Sequence, residues 1–503
     1  MAEPVTDPGR KPTRVDRRSV LRGAAAVAGG AMVGGPFAGF VARASAADPA
    51  SVPFRELRPI PDLRDGAVRL WLPEGFQYRS FHDTEFDVFI DGGATKLVGR
   101  HDGMGAFGCR RGTIMLVRNH EIPNAVAAFG DATKAYDTMA GGGTTTVEVT
   151  RFGEVVRAFT SCNGTQMNCS GGKMPWGSWI TCEETINGPD VGPDFSGNPN
   201  VALQQRHGFI FEVPVEGESD RQPTTRAGRF AHESVAFDPR DGILYLTEDN
   251  FGFPSGFYRY LPRRNPMDTG KLDNDGRLQM MAVKGQPNAD LAAAQPPGAS
   301  YKVTWLDIDD PDPTFPFVPG TPAPTTNDVA LTYVGNQGRA QGAAYFSRLE
   351  GSVYDDGVVY FTATQGGGPA ETSFGPIVGG FGNGTGQVWA YDTKHKRLDL
   401  VFESPGPEIL DFPDNVTTSP RGTIVLCEDN VNDNFVRGLT PRGHLFDIAL
   451  NRLVSQLPPN PTRFNDEFAG STFSPDGHTL FVNIQASRGM TFAIWGNWRR
   501  LGV

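Results

Sequence analysis

The sequence is poor in cysteine and in positive charge, and each shortage excludes a class of protein. Five cysteines in 503 residues are too few, and odd in number, for a disulfide scaffold. Lysine and arginine total 46 against 57 aspartate and glutamate residues, and the net charge of −11 opposes binding to nucleic acid. Beyond residue 46, no apolar run is long enough to span a bilayer. We therefore expect neither a nucleic-acid partner nor a multispanning membrane protein.

Glycine and proline, in contrast, are abundant. The chain contains 62 glycines and 40 prolines, about a fifth of its residues, without a collagen-like period. This density of turn residues excludes a mainly helical bundle and predicts many short strands joined by turns. Apolar residues make up 39% of the chain and charged residues 20%, which is enough for a sizeable core and excludes wholesale disorder.

The first 46 residues have the composition of an export signal. Arg17 and Arg18 precede a weakly apolar segment rich in alanine and glycine, and small residues at 44–46 offer a cleavage site. This pattern predicts a twin-arginine signal peptide over residues 1–46, recognised by the twin-arginine export machinery. The alternative is an uncleaved anchor, but glycine and alanine make a poor membrane span. We expect a periplasmic or extracellular protein, without stable membrane insertion after cleavage, formed by residues 47–503.

Removal of the signal makes the chain more acidic. Residues 1–46 contain seven basic and three acidic side chains, so the net charge of −11 becomes about −15 for the mature chain. In an oxidising compartment Cys162 and Cys169 could form a disulfide across a short loop, and at least one other thiol would remain unpaired.

A hairpin pattern repeats six times. A short β-branched or aromatic run follows a glycine at spacings of 65, 65, 115, 65 and 55 residues. Each run is preceded by another short segment and a turn, which predicts an antiparallel hairpin. The repeated units predict an all-β, six-bladed β-propeller. A Pro-rich insertion at about 262–330 is expected to be irregular. If it contains a further blade, the propeller has seven blades. The glycines are Gly112, Gly177, Gly242, Gly357, Gly422 and Gly477.

Acidic residues recur at matching ends of these hairpins. Because the start of one strand and the end of its antiparallel partner share a sheet edge, the acidic residues should converge at one mouth of the central channel. A dense ring of carboxylates favours bound cations; oxygen ligands suit calcium, and the thiol of Cys182 suits a transition metal such as iron. Alternatively, the acids cap turns on a solvated face. The first segments open with Asp102, Asn168, Glu233, Glu350, Asp414 and Glu467.

Longer motifs surround these acidic residues. The most specific is the block that runs from Asn168 through Pro175-Trp176-Gly177 to Glu184. Further motifs are Arg118-Asn119-His120-Glu121, Arg229–Glu233, Arg348–Gly351, Asp414-Asn415, Cys427–Asp429 and the ending Ser474–Gln485. Together they resemble the PhoX-type alkaline phosphatases. The resemblance extends from about Leu57 to Trp498 and includes the export signal, although this chain is shorter than the larger members of the family.

The resemblance implies a secreted phosphatase that hydrolyses small phosphate monoesters at a mixed iron–calcium cluster, on a six-bladed propeller. It implies Cys182 as a ligand of ferric iron, together with Glu233, Glu350 and Asp414. It implies Glu121, Glu183 and Glu184 as calcium ligands. For contact with a phosphate oxygen it implies Arg348, and less strongly Asn119 and His120. We expect the protein to be a monomer.

Two other functions fit the acidic ring. One is a calcium-dependent propeller hydrolase of another class, such as a lactonase or a phosphotriesterase. The other is a non-catalytic propeller in which the ring holds structural calcium. Neither function requires Cys182 or Arg348, so these two side chains distinguish the alternatives.

Overall fold

The computed structural model describes residues 56–109, 112–123, 125–194, 196–319 and 321–503. The predicted signal peptide lies outside these residues. Strands dominate the described chain, and the prediction of an all-β fold is confirmed. None of the described helices combines the length and apolar character needed to cross a membrane.

The strands fall into groups that follow the predicted repeat. In chain order they are β1 (Leu57–Pro61), β2 (Val68–Pro73), β3 (Gln77–Phe81), β4 (Phe89–Ile90), β5 (Thr95–Lys96), β6 (His101–Gly108), β7 (Ile114–His120), β8 (Gly142–Val149), β9 (Val155–Thr165), β10 (Asn168–Met174), β11 (Ser178–Glu183), β12 (Ile210–Pro214), β13 (His232–Asp238), β14 (Ile243–Glu248), β15 (Phe257–Leu261), β16 (Arg277–Val283), β17 (Ser300–Asp307), β18 (Leu349–Asp355), β19 (Val358–Ala363), β20 (Gln387–Asp392), β21 (Arg397–Glu403), β22 (Pro413–Thr418), β23 (Ile424–Glu428), β24 (Phe435–Leu439), β25 (Leu445–Asn451), β26 (Glu467–Phe473), β27 (Thr479–Gln485) and β28 (Met490–Trp495). The helices are α1 (Pro266–Thr269), α2 (Asn327–Ala340) and α3 (Trp498–Leu501), with short 3-10 turns at Asp91–Gly93, Ala132–Lys134 and Thr225–Ala227.

Each predicted hairpin forms an antiparallel pair. The pairs are β6–β7, β10–β11, β13–β14, β18–β19, β22–β23 and β26–β27. Outer strands extend every pair into a larger sheet, and β17 joins two of the groups because it pairs with both β16 and β21. The apolar side chains of neighbouring sheets pack together in clusters between them.

The first strands of the six hairpins pack around a common axis. Strand β6 contacts β10, β10 contacts β13, and contacts continue through β18, β22 and β26 back to β6. The N-terminal strand β3 pairs with β28 near the C-terminus, so the two ends of the chain close the ring in one sheet. Tyr78 and Phe492 meet edge to face across this closure, with ring centroids 5.7 Å apart. The result is a propeller-like arrangement of antiparallel sheets.

All six first strands carry a β-bulge near the same end. The pairing register shifts between His101 and Met104 in β6, and at corresponding places in the other five strands. At the bulges the neighbouring backbones approach closely: a Cβ added to Gly103 would lie 2.5 Å from the Cα of Ser170. A side chain at Gly103 would collide with this backbone, and the same holds for the glycines in the bulges of β18 and β26, Gly351 and Gly470.

The Pro-rich segment at 262–330 is more regular than its composition indicated. It contains α1, β16 and β17, and α2 begins within it. In β16 the alternate residues Leu278 and Met280 are fully buried, and Gly338 of α2 lies against Met280. Residues 278–283 are all buried. This corrects the expectation of irregular structure, because burial of both faces of β16 outweighs the surrounding turn-forming residues.

The ring closure generates a stability prediction. Replacement of Phe492 by alanine removes a fully buried ring between β28 and β3, and we expect a loss of about 3–5 kcal/mol in unfolding free energy. Val156→Ala, at a side chain that is 56% exposed, serves as control and should change stability by less than about 0.5 kcal/mol. Urea unfolding gives the free energy of unfolding of both variants. Equal losses would contradict the role of Phe492 in closing the ring.

Candidate active site

Carboxylates from all six hairpins line one cavity of about 390 Å³ at the end of the ring where the first strands begin. Each first strand contributes a side chain near its start, and five of the six second strands contribute one near their end, because these positions share a sheet edge. Arg348 is the one cationic side chain among the described residues that line the cavity. The carboxylates at the sheet edges are Asp102, Glu121, Glu184, Glu233, Asp249, Glu350, Asp414, Asp429 and Glu467.

The bulges bring many of these side chains to the cavity. In five of the six first strands, the first of the residues that the bulge leaves without a pairing partner lines the cavity. A bulge leaves its extra residue outside the pairing ladder and redirects the side chain. The five residues are Asp102, Cys169, Glu233, Glu350 and Asp414.

The cavity contains three groups of side chains whose oxygen or sulfur atoms lie within 4.8 Å of one another. Glu233 belongs to the first two groups and Asp414 to the last two, so the groups form a continuous chain. Donor atoms of this kind and spacing fit several metal ions held by shared carboxylates. The groups are Cys169, Glu184 and Glu233; Glu233, Glu350 and Asp414; and Asp414, Asp429 and Glu467.

The electrostatics of the cavity also fit bound cations. Burial, followed by repulsion from Asp429, raises the pKa of Asp414 to about 7. Burial, followed by repulsion from Asp414, raises the pKa of Glu233 well above its usual range. Burial likewise raises the pKa of Glu350, with repulsion from Asp249 as the next cause. These carboxylates therefore resist ionisation until positive charge enters the cavity.

The thiol at the cavity belongs to Cys169. Its sulfur lies with Glu184 and Glu233 in the first group and is 3.3 Å from the carbonyl oxygen of His232. Cys182, expected from the sequence to be the iron ligand, is fully buried in the apolar core with Ile210. Cys182 does not line the cavity, so its position does not support the expected role as the iron ligand; Cys169 is the cysteine that lines it. All five cysteines are free, without a bridge between Cys162 and Cys169.

Glu183 also lies away from the cavity. Its carboxylate accepts hydrogen bonds from the backbone N–H groups of Gln166 and Gly208, each at 2.9 Å, and lies 2.6 Å from Nδ1 of His207. The neighbouring carboxylates raise the pKa of His207 to about 9 despite its burial. Glu183 thus anchors the segment that contains His207, and its expected role as a calcium ligand is not supported by its position.

Two candidates for phosphate contact are engaged within the sheets instead. The His120 ring lies 2.9 Å from the carbonyl of Gly99 and 2.9 Å from the hydroxyl of Thr145. The Asn119 amide donates to the carbonyl of Cys169 at 3.1 Å and accepts from Nε1 of Trp179 at 2.9 Å. Both side chains are fully buried and neither lines the cavity. The structure therefore corrects the expectation that they contact substrate.

Arg348, in contrast, lies in the cavity wall as expected. Its Nη2 donates to Asp249 at 2.7 Å and to Glu350 at 2.8 Å, and the guanidinium covers the ring of Phe251 at 5.0 Å. Its φ of +34° is in the left-handed region that few residues other than glycine adopt. The paired carboxylates hold the guanidinium in one orientation.

Sequence reasoning assigned no role to several residues that the structure brings together. Asp102, Asp249, Asp429 and Glu467 were recognisable as hairpin ends but were not assigned as ligands, and Cys169 was overlooked beside Asn168. A repeated signal was present: each bulge residue is an acid or a thiol followed by glycine, serine or asparagine. That pair of residues marks the bulge in β6, β10, β13, β18 and β22.

The fold and cavity define a propeller-like, all-β enzyme with a metal-binding type of site where its sheets meet. The sequence matches the family model "Alkaline phosphatase PhoX" over residues 55–487, and the chain belongs to this family. It is an alkaline-phosphatase-like phosphoric monoester hydrolase. The family is metal-dependent and typically exported.

The solved structure of a PhoX protein shows the same fold. Pseudomonas fluorescens PhoX in complex with vanadate, a transition state analogue, is 17% identical, with a TM-score of 0.60 over 88% of this chain and 98% of that chain. A streptogramin B lyase is 11% identical, with a TM-score of 0.36 over 84% and 98% of the two chains. A gluconolactonase from Xanthomonas campestris is 12% identical, with a TM-score of 0.36 over 89% and 98%. Comparison with curated proteins found no match.

The raised pKa values predict how the metal-free protein responds to pH. Glu121 and Asp414 have pKa values of about 7 in the folded chain, against about 4 when unfolded. The folded state therefore binds more protons between these values, and stability falls as pH rises through this window. Thermal melting after chelation should give a lower midpoint at pH 8 than at pH 5. Asp414→Asn should reduce this difference; a midpoint that rises with pH would contradict the prediction.

Proposed function

We propose that the chain is an exported phosphatase that hydrolyses small phosphate monoesters at an iron–calcium cluster in this cavity. The observation that carries the proposal is the convergence of nine sheet-edge carboxylates on one cavity, where six of them and one thiol form three linked groups of metal-ligand spacing. Membership of the PhoX family supports the reaction. The similar structure that binds vanadate supports a site for phosphoryl transfer.

The architecture that we propose is a six-bladed propeller. It is supported by six hairpins whose first strands contact one another in a closed cycle. On this interpretation β17 is a connection between two blades rather than a seventh blade. Six blades place six sheet edges at one mouth, which accounts for the number of carboxylates in the cavity.

The donor atoms fit two kinds of metal. A soft thiolate with carboxylates suits a transition metal, so Cys169, Glu184 and Glu233 would hold iron. Groups made of carboxylates alone suit calcium, so Glu350 and Asp414, with their neighbours, would hold calcium. When bound, these ions supply the positive charge that attracts phosphate oxygens and stabilises charge in the transition state. Glu121 lies beside these groups and is a further calcium ligand in this proposal.

Arg348 would bind a phosphate oxygen next to the metals. Its recorded hydrogen bonds use Nε and Nη2, and no described residue accepts from Nη1. Nη1 is therefore free to donate to an anion in the cavity. A guanidinium matches phosphate geometry and adds charge stabilisation as the transition state spreads charge over the equatorial oxygens. Asp249 and Glu350 keep this group in place before substrate arrives.

Cations are essential to substrate binding because the protein is acidic. A mature chain with a net charge of about −15 repels a phosphate ester at long range. The metals and Arg348 reverse the field at the one place where the ester must bind. Export as a folded monomer by the twin-arginine route, to the periplasm or beyond, would allow the metals to be bound before secretion.

Replacement of the two cysteines tests the metal assignment. We expect Cys169→Ser to lose iron and to lower kcat/KM for an aryl phosphate by at least about 100-fold, because the thiolate is a direct ligand. The control, Cys182→Ala, should retain iron and activity within about twofold. Elemental analysis and phosphate release measure both variants. Loss of iron from the Cys182 variant alone would contradict the assignment.

Replacement of Arg348 tests the phosphate contact. Arg348→Ala should lower kcat/KM by about 100- to 1,000-fold while the metal content stays unchanged, because a donor aimed at developing charge is removed. Arg348→Lys should recover part of the activity.

The same proteins should be assayed on phosphodiesters and lactones. Preference of the unaltered enzyme for either substrate would contradict a monoester phosphatase and favour the other propeller hydrolases.

A further inference from the structure

One position in the second strand of every hairpin faces the neighbouring sheet instead of the cavity. In each hairpin it lies two residues before the position at the end of the second strand that is occupied by a cavity carboxylate or by the residue that corresponds to it. In four hairpins this position carries an amide or a hydroxyl, and in two it carries a buried thiol. The six residues are Asn119, Cys182, Thr247, Thr362, Cys427 and Asn483.

The four polar members each donate a hydrogen bond to the first strand of the next sheet. Thr247 donates to the carbonyl of Glu350 at 2.6 Å, and Thr362 donates to the carbonyl of Asp414 at 2.7 Å. The two amides do the same: Asn119 donates to the carbonyls of Cys169 at 3.1 Å and Ser170 at 2.7 Å, and Asn483 donates to the carbonyl of Asp102 at 2.5 Å. In each of the four interfaces one acceptor is a residue whose side chain lines the cavity.

The bulges explain why these carbonyls need a partner. In β18 the register breaks between Leu349 and Ser352, so Glu350 has no pairing partner in β19. In β22 the break between Pro413 and Val416 leaves Asp414 in the same situation. A buried carbonyl without a hydrogen bond is unfavourable, and the side chain of the preceding sheet satisfies it. These bulges are thus held by the neighbouring sheet in four of the six interfaces.

We infer that Asn119, Thr247, Thr362 and Asn483 are positioning residues for the metal-binding side chains. They fix the backbone from which Cys169, Glu350, Asp414 and Asp102 project into the cavity. None of the four lines the cavity, so they act through the residues that they hold. The inference rests on the proposed metal site and adds to it a set of residues that no ligand would touch.

Thr247 connects the bulges of two neighbouring sheets through its hydroxyl group. Its hydroxyl accepts from the backbone N–H of Ser234 at 2.9 Å and donates to Glu350 at 2.6 Å. Ser234 lies in the bulge of its own sheet, directly after Glu233. One hydroxyl therefore links the bulges that carry Glu233 and Glu350, two members of the same metal-ligand group. Loss of the hydroxyl should loosen both residues at once.

The test is calcium binding to the full chain with Thr362 replaced by valine, which keeps the shape and removes the donor. Thr362→Val should weaken calcium binding about 10- to 100-fold, the range expected when support behind a ligand is lost. Thr362→Ser should restore it. The matched control is Thr146→Val, because Thr146 is equally buried but its hydroxyl makes no hydrogen bond. Competition with a calibrated chelator gives the affinities, and thermal melting without metal gives the stabilities.

The outcomes separate this inference from the proposed function. If the unaltered chain binds no calcium, the proposed metal site fails and the inference fails with it. If the unaltered chain binds calcium and Thr362→Val binds it equally well, only the inference is overturned. Thr247→Val provides a second variant. If both valine variants fail to fold while Thr146→Val folds, these residues serve the fold alone, which also overturns the inference.

Discussion

The structure depends on the repulsion among carboxylates that the fold forces into one cavity. Nine acidic side chains from the sheet edges meet one arginine there, and burial with mutual repulsion raises the pKa values of Asp414, Glu233 and Glu350. Such a set is stable in its ionised form only with bound cations. The same cations turn an acidic protein into one that can bind phosphate. Metal binding and substrate binding are therefore two consequences of one electrostatic constraint.

The site forms where all six sheets meet, and no single sheet contains it. Five of the six first strands present their cavity residue from a bulge, and the carbonyl freed by that bulge accepts a hydrogen bond from the preceding sheet in four interfaces. Because β3 pairs with β28, the last interface is closed by the N-terminal part of the chain. The site is therefore complete only when the ring is closed. This dependence accounts for the extensive burial of polar residues along the inner strands.

The sequence predicted the hairpins, the edge where their ends meet and the acidic character of that edge. These features follow from local turn chemistry and strand alternation, which short segments reveal. Sequence spacing could not show which side chains a bulge redirects, so Cys182 was chosen although it faces the neighbouring sheet, and Cys169 was overlooked. Asn119 was misassigned for the same reason. In β16, turn residues on both sides concealed a strand whose burial depends on α2, a contact that only the folded chain shows.

The most direct test of the central claim is anomalous X-ray diffraction from crystals of natively purified protein. Data collected at the iron absorption edge should show a peak within bonding distance of the Cys169 sulfur. Calcium peaks should lie among the oxygen atoms of Glu350, Asp414, Asp429 and Glu467. A cavity without metal peaks in fully active crystals, or iron bound at Cys182, would contradict the account.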